Sequence, residues 1–215
     1  GTLVPFTYRG AKITDFEFSC AVGEILKLSV TFDAWDETTG TAAGTPSYTA
    51  SEVFHFAQGT LVLGGTPSTS SGVVSISGGT TVASVKSATV DGTIPLATER
   101  YFLGSAGVKA DQVENDWREV GGTLSAEFVT AAALYDTFAA DAATALKLSF
   151  VGTTAITGAV YPTLEIIIPS IRLDGSTPQV GGPDVVEMSC DFVGLDNGTD
   201  ATWQIRTLTA DTSVS

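Results

Sequence analysis

The chain has 215 residues, 43% of them hydrophobic, and a mean hydropathy of +0.25, so it holds ample material for a core. Only 16% are charged, against roughly a quarter in ordinary soluble domains, and 24 acids stand against 10 bases for a net charge of −14. That balance excludes a protein that grips nucleic-acid phosphate, which needs clustered Lys and Arg, and two Cys with one His, far apart in sequence, leave no four-ligand structural zinc site.

Low charge with net apolar character fits a surface partly hidden against partners, as in obligate assemblies. The acidity is lopsided: residues 1–110 carry 9 acids and 6 bases, residues 111–215 carry 15 and 4. An acidic surface either solvates a protein or repels other anions, and composition does not choose between the two.

In chain order, the first patterned stretch is Ile13-Thr14-Asp15-Phe16-Glu17-Phe18-Ser19-Cys20. A strand sends successive side chains to opposite faces. Phe16, Phe18 and Cys20 therefore share a core face, and Asp15, Glu17 and Ser19 the other. Residues 25–35 alternate again, with Leu26, Leu28, Val30 and Phe32 opposite Lys27, Ser29, Thr31 and Asp33. With Gly23-Glu24 between them, the two runs predict a hairpin with one apolar and one polar face. Residues 36–50 are small and polar and read as a long loop. Strand-like runs follow at 52–63, 73–77, 82–90 and 99–103, with turns at 64–72 and 77–79 and an irregular acidic stretch at 104–116.

After Gly121-Gly122 a strand places Leu124, Ala126 and Phe128 opposite Thr123, Ser125 and Glu127. The period then changes over 130–143. At 100° per residue Ala131, Leu134, Tyr135, Phe138 and Ala142 share an arc and Asp136 lies opposite, which predicts an amphipathic helix with Thr130 as N-cap. Strands resume at 146–151, 161–173, 184–193 and 202–208, the last two separated by a hairpin turn in Leu195-Asp196-Asn197-Gly198-Thr199-Asp200. The fold class is mainly β: two packed antiparallel sheets in a sandwich or barrel-like arrangement, with one flanking α-helix. The chain reads as one domain over 1–215, with long loops at about 36–50, 64–72 and 104–116.

No stretch carries an enzyme signature. His55, in Val53-Phe54-His55-Phe56, has no Gly-x-Ser-x-Gly elbow to serve and reads as an ordinary strand residue. Asp196 to Asp200 has oxygen ligands and a glycine but lacks the continuation of a calcium loop. There is no phosphate-binding Gly-rich loop, and no acid stands among aromatic residues as in a sugar cleft. Cys20 and Cys190 read as buried core thiols, with a disulfide between them the lesser option. No basic stretch followed by an apolar one marks a secretion signal, and no apolar run reaches the length of a membrane helix. No cofactor or metal is expected. What recurs is acid on the polar phase of strands: Asp15, Glu17, Asp33, Glu127, Glu187 and Asp191. Each alone suits a solvated face.

The order of elements resembles the tail tube protein (major tail protein) of long-tailed bacteriophages. The hairpin from Gly10 to Trp35 is similar to that family's N-terminal hairpin. The run Arg118 to Phe128, the helix with Leu134, Tyr135 and Phe138, the strand Leu146 to Phe150, and Leu164-Glu165-Ile166-Ile167-Ile168-Pro169 followed by the strand from Val185 are similar to its second half. The likeness is least clear across 36–116.

The resemblance implies a structural virion protein and not an enzyme. Six subunits form a ring, each giving four strands to a continuous inner barrel, and rings stack into a tube that conducts genomic DNA during ejection. About 24 strands at roughly 4.8 Å spacing, tilted by up to about 40°, give a backbone diameter of roughly 37–48 Å, ample for a duplex. The implied partners are further copies of the chain, a tape measure protein and tail-end proteins. DNA passes without specific binding, no membrane is involved, and assembly takes place in the host bacterial cytoplasm. Within that frame Asp15, Glu17, Asp33, Glu127, Glu187 and Asp191 are candidates to line the lumen, and Leu134, Tyr135 and Phe138 are the helix's packing residues. Carboxylates on the wall keep phosphate from adhering, over a range set by a screening length of about 8–10 Å. A secreted β-sandwich adhesin or carbohydrate-binding module is a rival reading. The tube protein of a contractile injection or type VI secretion system is a nearer one.

Overall fold

The computed structural model describes residues 4–42, 44–45, 52–128, 134–175, 177–178 and 185–210. Within them lie β1 (Thr7–Arg9), β2 (Lys12–Ala21), β3 (Lys27–Asp33), β4 (Asp36–Thr38), a single 3-10 turn (Phe56–Gln58), β5 (Gly59–Leu63), β6 (Thr66–Ser70), β7 (Val73–Ser77), β8 (Thr80–Thr81) and β9 (Val85–Thr93). They are followed by β10 (Leu96–Ala97), β11 (Val113–Glu114), β12 (Glu119–Glu127), α1 (Leu134–Ala139), β13 (Thr144–Val151), β14 (Thr163–Gly175), β15 (Glu187–Gly194) and β16 (Gln204–Leu208). The protein is mainly β, with antiparallel ladders and one short helix. Ten strands join in one sheet, in the order β3-β2-β9-β12-β15-β14-β13-β5-β8 with β16 beside β14. Two compact units share the chain. One comprises Gly1–Glu17, Leu28–Ser51 and Asp91–Glu119, the other Phe18–Lys27, Glu52–Val90 and Val120–Ser215.

The second unit holds most of the core. Its spine is β14, whose Ile166, Ile167, Ile168 and Ile171 are almost completely buried. A near-continuous apolar run is what a strand covered on both faces requires. β13 pairs along one edge. Along the other, β16 pairs with Thr163 to Ile167 and β15 with Ile171 to Gly175. Proline has no N–H to give a ladder, and Pro169 falls in the interval between those two partners, opposite a register shift in β13. The expected hairpin turn at 195–200 is therefore a different connection. It leads from the end of β15, with Leu195 N donating to Ser170 O, to a strand on the same edge of β14. The ladder also folds back, so that Cys20 and Ala88 face Leu61, Leu148 and Phe150 across a cleft of about 170 Å³. The β6–β7 hairpin, a separate two-stranded sheet, adds Val74 and Ile76 to the core beside Ala145 and Ile167.

Two further expectations for this unit change. Residues 64–72 are not simply a turn: β6 pairs with β7 through Ser71 and Gly72, both at positive φ (53° and 77°), the geometry that a two-residue hairpin demands. Residues 52–58 are not strand. The His55 side chain accepts from Ala57 N, and the His55 backbone N–H donates to Gln58 Oε1, a reciprocal cap on the 3-10 turn.

The first unit is sparsely cored. Phe16 is buried there against Gly92, where a Cβ would come within 2.4 Å of the Phe16 ring. β4 lies inside the expected 36–50 loop and pairs with β1, and β11 lies inside 104–116 and pairs with β10. The expected strand at 99–103 is instead a loop. β3 is exposed almost throughout: Leu28, Val30 and Phe32 retain 56%, 42% and 55% of their accessible surface. On that apolar phase the Tyr8 ring stands edge-on to Phe32 at 6.3 Å.

Candidate functional site

Every strand from β3 to β15 in sheet order presents a polar phase. In the first unit Asp15 and Glu17 from β2, Ser29 and Thr31 from β3, and Asp91 and Thr93 from β9 surround a shallow hollow of about 410 Å³. All six are exposed. Thr93 Oγ1 donates to Asp15 Oδ1 at 3.2 Å and Thr14 Oγ1 to Thr31 O at 3.3 Å. The buried phase of β2, Phe16, Phe18 and Cys20, turns these carboxylates outward, because neighbours along a strand must face opposite ways.

In the second unit β12 and β15 stand in register, with Thr123 opposite Asp191, Ser125 opposite Ser189 and Glu127 opposite Glu187. Their buried partners are Leu124 and Ala126 on β12 and Met188, Cys190 and Phe192 on β15. Like charges facing each other across a ladder destabilise it. Here Lys86 Nζ, 2.5 Å from Glu187 Oε1, offsets the repulsion, while Thr123 Oγ1 donates to Asp191 Oδ1 at 2.8 Å. The polar phases of both units thus combine short Ser and Thr side chains with carboxylates, and little cation.

Asp33 differs from the other five candidates. Lys109 Nζ lies 2.8 Å from its Oδ1 and Gln112 Nε2 donates to its Oδ2 at 2.9 Å. These bonds, the one from Lys109 first, hold its carboxyl below the usual range. Gln112 is fully buried, and its Oε1 has no partner among the described residues. Asp33 is therefore the centre of a polar clamp and not an open carboxylate.

A strand-rich subunit with this acidic, small-residue face matches the family model of the phage tail tube protein over residues 1–204. The chain belongs to the phage tail tube protein family. It is a structural component of the virion tail and self-associates into a tube. A search of curated proteins finds no match.

In the tube protein α1 covers Leu134–Ala139 among the described residues and ends before 140–143, which the periodicity assigns to it; 130–133, with Thr130 and Ala131, lie outside the described residues. The chain leaves the helix through Asp141 at φ 50°. Leu134 is buried, Tyr135 stacks edge-on against Phe128 at 5.8 Å, and Phe138 lies 6.4 Å from Tyr135. Arg172 on β14 reaches back to both carboxylate oxygens of Asp141.

Both thiols are free and buried. Burial pushes Cys190 up to about 11, with Asp191 and Asp174 adding to the shift. Among the described residues no group of three or more His, Cys, Asp or Glu side chains is placed to hold a metal ion, and no helix is long and apolar enough to cross a membrane.

Sequence reasoning missed Asp91. Its phase in β9 was available, with Ala88, Val90 and Gly92 buried and Asp91 and Thr93 exposed. However, Asp91-Gly92 is a strong hairpin-turn signal, and it closes the predicted strand at residue 90. It also missed Glu52, whose carboxylate accepts from Thr153 N, Thr153 Oγ1, Thr154 N and Gln58 Nε2. No local pattern announces that latch.

Proposed function

We propose that six copies of this chain close into a ring, that rings stack into the tail tube, and that the polar phases carrying Asp15, Glu17 and Asp91 in the first unit and Glu127, Glu187 and Asp191 in the second each line the bore through which genomic DNA leaves the virion. The observation that carries the reading is the polar phase itself. On a family member that assembles into a tube, a sheet face of carboxylates and short hydroxyls gives a passing duplex nothing to grip, because affinity for the DNA backbone comes from Lys and Arg. The nearby cations are engaged within the subunit, Lys27 with Glu24 and Lys86 with Glu187. The duplex then slides past a wall that repels it at short range, within a screening length of about 8 Å.

The first unit supports the assembly half of the proposal. β3 stands at one end of the sheet order, with its apolar phase open. An open edge with an uncovered apolar face is a surface that soluble proteins cover, and a neighbouring copy in the ring covers it. The tape measure and tail-end proteins are the other partners this reading carries, with assembly in the host cytoplasm.

Electron microscopy of isolated tails and of the purified chain at rising concentration tests it. The expected image is a hollow tube with six-fold rings, and a map that places Asp15, Glu17 and Asp91 on the inner wall. A tube with those residues on its outer surface overturns the lumen assignment. Isolated tails with no tube built from this chain overturn the whole reading.

A further inference from the structure

We infer that the loop tip Arg100-Tyr101-Phe102-Leu103 is a pre-built anchor through which one copy of this chain holds a second copy in the tube. The inference rests on the self-association proposed above and goes beyond it by naming the surface.

Three consecutive large apolar side chains face solvent here. Tyr101 and Phe102 are 50% and 59% exposed, and Leu103 is fully exposed. The loop is nonetheless tightly built. Ser105 Oγ donates to Phe102 O at 2.7 Å, Val108 N to Ser105 O at 3.0 Å, and Ala110 N to Arg100 O at 2.8 Å. Gly104, Ala106 and Gly107 take left-handed φ values of 85°, 53° and 78°, which an alanine adopts at a cost. The base is bolted to β3 by the pair of Lys109 with Asp33, and to β2 by Lys12, which donates to Gln112 O at 2.6 Å and pairs with Asp111 at 2.9 Å. A tip fixed before binding loses little further freedom on binding, so its contact energy is retained as affinity.

Charge names the partner. Eight of the ten basic side chains form a salt bridge within the subunit, and among the described residues Arg100 and Lys147 form none. The Arg100 guanidinium lies over the Phe102 ring at 5.6 Å and donates to Asp111 O. It is a cation beside an apolar tip, in a chain with a net charge of −14. A second copy supplies carboxylate in excess, which is the complement such a tip requires. Arg and Tyr are also among the residues in which interface energy concentrates.

The test compares wild type with Leu103→Ser and Arg100→Glu, following tube formation by light scattering and electron microscopy. Circular dichroism and melting check that each variant is folded. Both side chains are outside the core, so unchanged melting is expected, together with at least a tenfold rise in the concentration at which tubes appear. In parallel, a photo-crosslinking residue at position 103 in assembled wild-type-like tubes should give covalent dimers of the chain. Wild type that assembles alongside variants with the same threshold, and no dimer from position 103, overturns this inference and leaves the tube reading standing. Isolated tails without a tube of this chain overturn both.

Discussion

Glu52 and Thr153 are joined through both the backbone and the side chain of the threonine: the carboxylate accepts from Thr153 N at 2.8 Å and from Thr153 Oγ1 at 2.7 Å. Those bonds, with others from Thr154 and Gln58, bring the Glu52 carboxyl from 4.5 down to about 2. A carboxyl depressed on folding stabilises the fold above its unfolded value, and that contribution fades as pH falls toward the folded value. Glu52→Gln should therefore lower the melting temperature at pH 7. It should also remove part of the loss of stability that wild type shows between pH 4.5 and about 2. Melting curves across that window check it, and identical acid profiles for the two proteins would exclude the latch.

Gly92 has no room for a side chain, because a Cβ would meet the Phe16 ring at 2.4 Å. Gly92→Ala should destabilise by about 1–3 kcal/mol through overpacking. Adding Phe16→Leu should recover part of that loss, because the two side chains compete for one volume. Denaturant titrations of the two single variants and the double measure the coupling. Strict additivity would mean that the ring and the glycine are not in contact.

The acidic face can be made to hold DNA. Tubes of a variant carrying Asp15→Lys and Asp91→Lys should retain duplex at low salt and release it steeply as salt rises, the signature of counterion release. Wild-type tubes should retain none under the same conditions. A co-sedimentation series over ionic strength reads this directly. Equal retention by both would place this face away from the DNA path.

Cys190 should resist alkylation. With its thiol at about 11 instead of 9.0, the thiolate fraction at pH 8 falls roughly a hundredfold, and the thiolate is the reactive form. Iodoacetamide labelling of the native protein should be slow at Cys190 and become fast on unfolding in denaturant. Rapid labelling of the folded chain would show that the strand opens locally.

How much of this was legible in the sequence depended on whether a residue's fate was decided by its neighbours or from far away. The alternation of Asp15 to Cys20 is local, so the buried phase of β2 and its acidic phase could both be read from it. The end of β9 could not. Its Asp91-Gly92 imitates a turn, and the glycine answers to Phe16, which lies far off in the chain. Residues 99–103 have the composition of a strand, but bonds from Ala110 N to Arg100 O, from Arg100 to Asp111 O and from Ser105 Oγ to Phe102 O hold them in a loop. The helix shows the opposite limit: the arc of Leu134, Tyr135 and Phe138 was readable, its end at Ala139 was not. Of the lumen candidates, Asp33 shares the strand phase of Ser29 and Thr31, and only the fold reveals the clamp upon it.

β14 is paired along both edges and shielded on both sides, whereas β3 keeps about half of its apolar surface in water. The solitary subunit is in that sense two things at once, a finished interior and an unfinished exterior. Joining the tube is then less an encounter between completed bodies than the last stage of folding, deferred until another copy arrives. Amide exchange should record it, with Ile166 to Ile168 slow in the monomer and in the tube alike, and Leu28 to Phe32 slow only in the tube.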